Sequence, residues 1–331
     1  MSQTVLYPLR FAPIYQYRLW GGHRLADLLS APLPGDDPIG EAWLLSDRAD
    51  HPSLVAEGPL KGRTIGELME QWPEPVLGKN AGRFRRFPLL LKFLDVRKRL
   101  SVQVHPSDAH TDLLPAGENG KTEAWVVLEA GADSRIYAGL QPGATVDVLT
   151  QAIAKGTLAD RLASFRPTLG DGIFIPAGAV HSLSDVVVFE VQENSDVTFR
   201  LFDWDHVDPK TGKHRPLQVD QALACLDFRQ GTIGPVTAIV EESKPVLRER
   251  LFDCEYFGLC RFTGDSPFTV GAAGTPRVLV CLAGNGQLEH DGAEYSVGTG
   301  DVLLLPAVVG ACGCRPGTAM VVLEISLPEG A

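Results

Sequence analysis

Two residues that can bind a metal ion stand two positions apart in the segment LSVQVHPSD. Gln103 and His105 lie in a strand pattern, where successive side chains alternate between faces, so both point to the same side. Glu123 begins a second strand pattern, and His181 follows a Pro-x-Gly turn. Two imidazoles, one carboxylate and one amide oxygen form a ligand set that suits zinc and leaves coordination positions open for water or substrate.

The same residue types also have structural explanations. A single histidine near a strand end is often exposed or hydrogen-bonded, a buried glutamine usually bonds the backbone, and Glu123 alone could be a salt-bridged strand start. The spacing by itself therefore does not decide whether these residues bind a metal. The remaining histidines receive no metal role; they are His23, His51, His110, His206, His214 and His290.

Short apolar runs separated by Gly, Pro and Asp dominate residues 85–205 and again residues 245–331. They predict a mainly β protein, a barrel or sandwich, whose strands include LLLKFLDV, LSVQVH, EAWVVLEA, SRIYAGL, GIFIPAG and VVVFEVQENS. Helices are predicted over 64–72, where Thr64 and Glu67 form a capping-box pattern, over 145–165, and in PLQVDQALACLDF after Arg215.

An internal repeat divides the chain into two domains. Gly170 is followed by five residues and Pro176, and Gly300 is followed by five residues and Pro306. Alignment of the two glycines places Ala311 opposite His181. We therefore expect a catalytic metal domain over 1–240 with helical segments, and a metal-free domain of the same kind over 241–331.

The segment GDGIFIPAGAVH matches the second cupin motif, Gly-x5-Pro-x-Gly-x2-His, at every fixed position. More widely, the chain resembles type I phosphomannose isomerases in their short bacterial form. The resembling segments are RLWGG (18–22), IGEAWLLSD (39–47), FPLLLKFLDVRKRLSVQVHPSD (87–108), GKTEAW (120–125), IPAGAVHSL (175–183) and VQENSDVTFRLFDWDH (191–206). The resemblance implies two cupin jelly-roll barrels, with helical insertions in and after the first.

The resemblance also implies roles for particular residues. It makes Gln103, His105, Glu123 and His181 the ligands of one zinc ion per chain. Arg200 falls at the position of the family's active-site arginine, and Lys121 at that of the family's lysine, two residues before the zinc glutamate. The residues that fall near the substrate are Lys92, Ser101 and Glu41.

The implied reaction interconverts mannose 6-phosphate and fructose 6-phosphate through a cis-enediol. A metal ion can polarise the carbonyl, and Arg200 can add to the stabilisation, although a guanidinium is a poor base. The base is left open among a zinc-bound water, Lys121 with a depressed pKa and a nearby carboxylate. For the phosphate we expect Lys92 and Lys121, with a hydrogen bond from Ser101.

Charge and composition limit the classes of ligand and partner that the chain is expected to bind. The net charge of −11 over 331 residues argues against a general nucleic-acid binder but allows a small phosphorylated ligand. No apolar stretch reaches about 18 residues, and no secretory signal is recognisable. We expect a cytoplasmic enzyme of a hexose phosphate, with no membrane and no obligate protein partner.

The sequence is also compatible with two other functions. An Fe(II) cupin oxygenase would bind iron, although Gln103 is a weak ligand for that metal. A non-catalytic sugar-binding protein is the second alternative, because cupin folds carry many functions.

Overall fold

The computed structural model describes residues 6–328. Its helices are α1 (Leu25–Leu28), α2 (Ile65–Gln71), α3 (Pro73–Leu77), α4 (Val146–Ala154) and α5 (Val219–Cys225). Two 3₁₀ turns cover Gly78–Asn80 and Leu158–Arg161. No helix between residues 6 and 328 combines the length and the apolar character needed to cross a bilayer.

Strands make up most of the regular structure, as the sequence predicts. They are β1 (Leu9–Arg10), β2 (Ile14–Gly22), β3 (Ile39–Leu45), β4 (Asp47–Arg48), β5 (His51–Pro52), β6 (Leu89–Val96), β7 (Val102–Val104), β8 (Glu123–Leu140), β9 (Leu162–Phe165), β10 (Gly172–Ile175), β11 (His181–Glu193), β12 (Phe199–Phe202), β13 (Val207–Asp208), β14 (Lys213–His214), β15 (Ile239–Glu242), β16 (Leu247–Asp253), β17 (Gly258–Gly264), β18 (Phe268–Val270), β19 (Arg277–Ala283), β20 (Asn285–His290), β21 (Ala293–Gly298), β22 (Val302–Leu305), β23 (Cys312–Pro316) and β24 (Met320–Ser326).

Three antiparallel sheets carry the fold. The first has nine strands, with β10-β8-β11-β6-β3-β2 as its main path and β7, β9 and β12 attached. The second, β1-β22-β19-β24-β17-β16-β15, and the third, β18-β23-β20-β21, enclose a separate apolar core in the C-terminal part. Strand β1 therefore belongs by sequence to the N-terminal part but pairs with β22 of the second sheet.

Side-chain alternation in the first sheet decides which residues face its interior. On β6, Leu91 and Phe93 pack in a large apolar core shared with the second sheet. Lys92, which lies between them, points to the opposite face, because successive strand residues alternate sides. The same period places Glu123 of β8 and Glu190 of β11 on the interior face, where all three side chains line one cleft.

The predicted helices are confirmed in two of three cases. Helix α2 has the capping box, since Thr64 Oγ1 accepts from the N–H of Glu67 and a Glu67 carboxylate oxygen accepts from the N–H of Thr64. The helix predicted over 145–165 is too long. Helix α4 ends at Ala154, Gly156 adopts φ +67°, and the chain then forms the 3₁₀ turn and strand β9.

The repeated turn is present in both halves. Gly170 and Gly300 have φ of +84° and +88°, a region that side chains with a Cβ rarely adopt. A carboxylate follows each glycine and accepts a backbone N–H three residues earlier, Asp171 from Thr168 and Asp301 from Gly298. Ala311, opposite His181 in the repeat, is exposed and carries no ligand group.

Candidate functional site

Four side chains predicted to bind a metal meet inside the first sheet. His105, Glu123 and His181 each place one ligand atom within 4.8 Å of the others, and all three are buried. His105 Nε2 lies 3.5 Å from Glu123 Oε2, and His181 Nε2 lies 3.2 Å from Glu123 Oε1. Gln103 joins them, with its Nε2 atom 3.1 Å from His181 Nε2.

Strand pairing explains why residues so distant in sequence converge. His181 is the register partner of Gln103 across β11 and β7, and Gln192 of β11 is the partner of Glu123 across β8. Val102 and Val104 point to the other face of β7, where they pack in a core that includes residues of α4 and α5. The alternation predicted from LSVQVH is therefore confirmed.

Both imidazoles are oriented for a metal. His105 Nδ1 lies 2.8 Å from the carbonyl oxygen of Val197, and His181 Nδ1 lies 3.0 Å from that of Ala179. A carbonyl only accepts, so Nδ1 carries the proton and Nε2 presents its lone pair to the site. Burial lowers the pKa of His105 well below its usual value and that of His181 to about 4, so both rings are neutral at pH 7.

The donor set fits a divalent cation. Both carboxylate oxygens of Glu123 are fully buried; the Lys121 ammonium lies 2.8 Å from Oε2, whereas Oε1 has no hydrogen-bond partner among the described residues. A buried carboxylate oxygen without such a partner is costly, and a bound cation would supply the missing interaction. Gln103 turns its Nε2 to the histidines while its oxygen accepts from Ser101 Oγ at 3.1 Å; a half-turn of the amide exchanges the two atoms.

Around this cluster lies an open cleft of about 510 Å³, which we call the central cleft. Its lining includes Arg18, Lys92, Lys121, Glu190, Asp196 and Arg200. Two of the predicted metal ligands, Gln103 and Glu123, line the same cleft, together with residues that the sequence analysis did not select.

The lysines of the central cleft are surrounded by carboxylates. Lys92 Nζ lies 3.5 Å from Glu190, 3.7 Å from Asp196 and 3.9 Å from Glu41. Lys121 Nζ lies 2.8 Å from Glu123 and 3.9 Å from Glu190. Burial acts to lower the pKa of Lys121, but these carboxylates outweigh it and raise the pKa above the usual value. A depressed pKa for Lys121, one of the options for the base, is not found.

Glu41 and Ser101 hold other side chains in place. Glu41 accepts from Arg18 Nε at 3.0 Å and from Trp43 Nε1 at 2.7 Å. Burial acts to raise its pKa, but Arg18 and the nearby lysine lower the pKa to about 2. Ser101 is fully buried and donates to Gln103. Both residues therefore lie beside the predicted metal ligands, and their polar groups are hydrogen-bonded to other side chains.

Arg200 differs from the other cleft cations. Its backbone N–H donates to Gln218 Oε1, but its buried Nε has no hydrogen-bond partner among residues 6–328. Burial and the nearby Arg215 lower the pKa of its guanidinium, which remains charged at neutral pH. A desolvated guanidinium of this kind gains most from an anionic group placed against it.

Glu190 is a buried carboxylate of the central cleft that the sequence analysis did not select. It is 3% exposed, and its Oε2 accepts from Trp125 Nε1 at 2.9 Å. A charged residue within the apolar run VVVFEVQ was the available signal, and its register partner Lys92 on β6 lies in the apolar run LLLKFLDV in the same way. Burial and Glu123 raise the pKa of Glu190, while Lys121 and Lys92 oppose that increase.

A second cavity, which we call the interlobe cleft, has a volume of about 730 Å³. Its lining includes Arg83, Arg85, Arg86, Asp108, Glu193 and Tyr256. Burial, together with Asp108 and Glu255, raises the pKa of Glu193 to about 8, although the Thr122 N–H acts to lower it.

The raised pKa of Glu193 makes stability depend on pH. In the unfolded chain this carboxyl titrates near its usual value of about 4.3, so its contribution is complete below that pH and is lost as pH rises through about 8. Glu193→Gln should therefore reduce the fall in unfolding free energy between pH 5 and 9 by about 1 kcal/mol or more. Denaturant unfolding at several pH values measures this. Glu74→Gln, at an exposed carboxylate of α3 outside this cleft, is the control, and equal slopes in the two variants would contradict the assignment.

Comparisons with known proteins all point to one family of enzymes. A family model for the catalytic domain of type I phosphomannose isomerase matches residues 9–125. The mannose-6-phosphate isomerase ManA of Bacillus subtilis (strain 168) is 31% identical over 304 residues, 92% of this chain and 94% of that protein. The mannose-6-phosphate isomerase of Streptococcus mutans is 29% identical over 294 residues, covering 88% and 90%. The crystal structure of the mannose 6-phosphate isomerase from Bacillus subtilis aligns with a TM-score of 0.88 and 28% identity, over 97% of this chain and 99% of that one.

Proposed function

The chain belongs to the type I phosphomannose isomerase family and is an isomerase, and from this premise we propose that it interconverts mannose 6-phosphate and fructose 6-phosphate with one zinc ion. The observation that carries the proposal is the buried cluster of His105, Glu123 and His181 at the base of a cleft lined by cations. Two imidazoles, one carboxylate and the Gln103 amide are the donors that would hold zinc.

The reaction moves one hydrogen between neighbouring carbons. A base removes the proton from C2 of the open-chain aldose, the electron pair forms the C1–C2 double bond, and O1 gains a proton, which gives a cis-enediol. Loss of the O2 proton and return of a proton to C1 complete the ketose. Zinc held by His105, Glu123, His181 and Gln103 would supply a Lewis acid able to polarise the carbonyl and to stabilise its developing negative charge.

The sequence left three candidates for the base: a zinc-bound water, Lys121 and a nearby carboxylate. We assign the proton transfer at carbon to the carboxylate of Glu190. Its Oε1 faces the lysines of the cleft and has no hydrogen-bond partner among the described residues. Trp125 holds the other oxygen, so the carboxylate is oriented. Lys121, held as an ammonium against Glu123, donates a hydrogen bond and does not accept a proton.

The phosphate assignment to Lys92, Lys121 and Ser101 is revised in the proposal. Lys92 is 2% exposed and faces three carboxylates, so its charge is already offset. Ser101 is occupied with Gln103. We propose that these residues position the metal ligands and Glu190, and that Arg200 meets the anionic substrate.

Arg200→Ala should lower kcat/KM for mannose 6-phosphate about 100-fold while zinc stays bound, because Arg200 is not one of the proposed ligands and its backbone pairing with Gln103 does not depend on its side chain. One lost charge-assisted contact in a desolvated site has an effect of this order. Steady-state kinetics and zinc analysis of the purified variant measure both quantities. Arg200→Lys should recover part of the rate. Loss of zinc in Arg200→Ala would make the role structural.

The proposal also covers the division of the chain into two domains. We propose that residues 6–240 form the catalytic cupin domain and residues 241–328 a metal-free cupin domain; the remaining terminal residues of the two predicted domains lie outside the described part. The repeated Gly–Asp turn supports a common origin of the halves. The interior of the C-terminal part is apolar and includes Cys281, Cys312 and Cys314. Two strands depart from this division: β1 pairs within the second sheet, and β15 of that sheet begins at Ile239, before the boundary.

A coupled assay for fructose 6-phosphate formed from mannose 6-phosphate tests the function. Turnover should require zinc, should stop with a chelator and should return when zinc is restored; glucose 6-phosphate is the comparison substrate. Stoichiometric iron with oxygen uptake would support an oxygenase. Sugar binding by a folded, zinc-loaded protein without turnover would support a binding protein, and either result would contradict the proposal.

A further inference from the structure

The interlobe cleft contains charged side chains that the isomerase reaction does not use. Arg83, Arg85 and Arg86 come from the segment RFRRFP before β6, and all three are exposed. Carboxylates reach the same cavity from three other segments, the loop after β7, the end of β11 and the turn before β17. The cavity volume of about 730 Å³ lies in the range of small-molecule sites.

The arginines of this cleft are available to an anion. Within residues 6–328 the ion pairs of the structure engage neither Arg85 nor Arg86, and the guanidinium of Arg83 lies 5.1 Å from the ring centroid of Phe84. Three guanidinium groups within four residues repel one another, and a bound anion relieves that repulsion. The planar guanidinium group matches the oxygens of a phosphate in bidentate geometry.

Buried polar groups complete the cavity. Glu193 is 4% exposed and Asn194 is 8% exposed, and both line the cleft. Asn194 Oδ1 has no hydrogen-bond partner among the described residues. These oxygens are acceptors for hydroxyl or amino groups. A ligand that satisfies the whole cleft therefore carries an anionic group for the arginines and hydrogen-bond donors for the acidic wall.

The interlobe cleft and the central cleft share two walls. Along the loop into β8, Asn119 lines the interlobe cleft, while Lys121 and Glu123 line the central cleft. Along β11, Glu190 lines the central cleft and Glu193 the interlobe cleft.

Two hydrogen bonds between Thr122 and Glu193 join these walls. Glu193 Oε1 accepts from the N–H of Thr122 at 2.6 Å, and the N–H of Glu193 donates to the oxygen of Thr122 at 3.1 Å. Thr122 directly precedes the metal ligand Glu123 in the chain. A shift of Glu193 is therefore transmitted to the backbone that holds this ligand.

We propose that the interlobe cleft binds a phosphorylated metabolite that carries hydroxyl groups, and that its binding changes the isomerase rate. The phosphate lies against Arg85 and Arg86, and the hydroxyl groups donate to Glu193 and Asn194. The effect on rate rests on the proposed function, whereas the binding does not. A free sugar phosphate and a nucleotide both offer this chemistry.

Calorimetric titration of the zinc-loaded enzyme with AMP, with glucose 1-phosphate and with inorganic phosphate tests the binding. We expect AMP or glucose 1-phosphate to bind, and Arg85→Ala and Arg86→Ala to weaken that binding at least tenfold. Arg229→Ala is the matched control, because Arg229 is an exposed arginine that pairs with Asp227 and lines neither cleft. The compound whose binding is weakened in Arg85→Ala and Arg86→Ala shows whether the ligand is a nucleotide or a sugar phosphate.

Three results would overturn the binding proposal: no heat with either organic phosphate, the same affinity in all variants, or binding of inorganic phosphate alone. Initial rates with and without the bound compound test the regulation, with an expected change of at least twofold that Arg85→Ala removes. Binding without a rate change would refute the regulatory part. Absence of all turnover would refute the proposed function and leave the calorimetric result intact.

Discussion

Replacement of His181 by alanine is expected to remove zinc and isomerase activity together. The ring is fully buried, its Nδ1 is fixed by the Ala179 carbonyl, and its Nε2 lies 3.2 Å from Glu123. Alanine leaves a hole that no neighbouring donor fills, so the remaining ligands hold the metal weakly. We expect zinc below about 0.1 per chain and kcat at least about 1,000-fold lower, since polarisation of the carbonyl is lost.

Elemental analysis of the dialysed variant and the coupled assay measure these two quantities. His290→Ala is the matched control, because this histidine lies on β20 outside both clefts and should leave zinc and rate unchanged. Thermal unfolding shows whether the variant is folded. A folded His181→Ala protein that keeps both zinc and activity would contradict the ligand assignment.

The second large effect is expected for Glu190→Gln. Glutamine keeps an oxygen that can accept from Trp125 Nε1, so the packing of the side chain is preserved. It cannot take a proton from carbon, and loss of a general base usually costs about 10²–10⁴-fold in rate. We expect kcat to fall by that amount while zinc remains stoichiometric, and KM for mannose 6-phosphate to change little.

The pH profile separates a catalytic role from a structural one. The acidic limb of kcat should disappear in Glu190→Gln if this carboxylate is the base. Glu129→Gln, at an exposed carboxylate on the neighbouring strand β8, is the control and should retain the wild-type profile. Loss of zinc from Glu190→Gln, or an unchanged acidic limb with a normal rate, would exclude the assignment.

Glu190 and Lys92 also show why part of the site escaped sequence reasoning. Each is a charged residue in an apolar strand run, and each alone suggests only a purpose for a buried charge. Their antiparallel register, which is continuous between β6 and β11, places them side by side, whereas bulges in the pairing of β8 with β11 set which residues of β8 lie opposite Glu190. A bulge has no reliable sequence signal, so the partner of a buried charge is known only once the strands are paired.

What the amino-acid sequence determined by itself is local. The strand period placed Gln103 and His105 on one face, the capping box defined the start of α2, and the Gly-x5-Pro spacing marked the repeat, because each depends on neighbours a few residues apart. Only the tertiary structure decided which charges meet. In the described structure Lys92 is surrounded by carboxylates, whereas Arg200 makes no salt bridge. The difference arises because burial and long-range strand pairing set the electrostatic environment of a side chain.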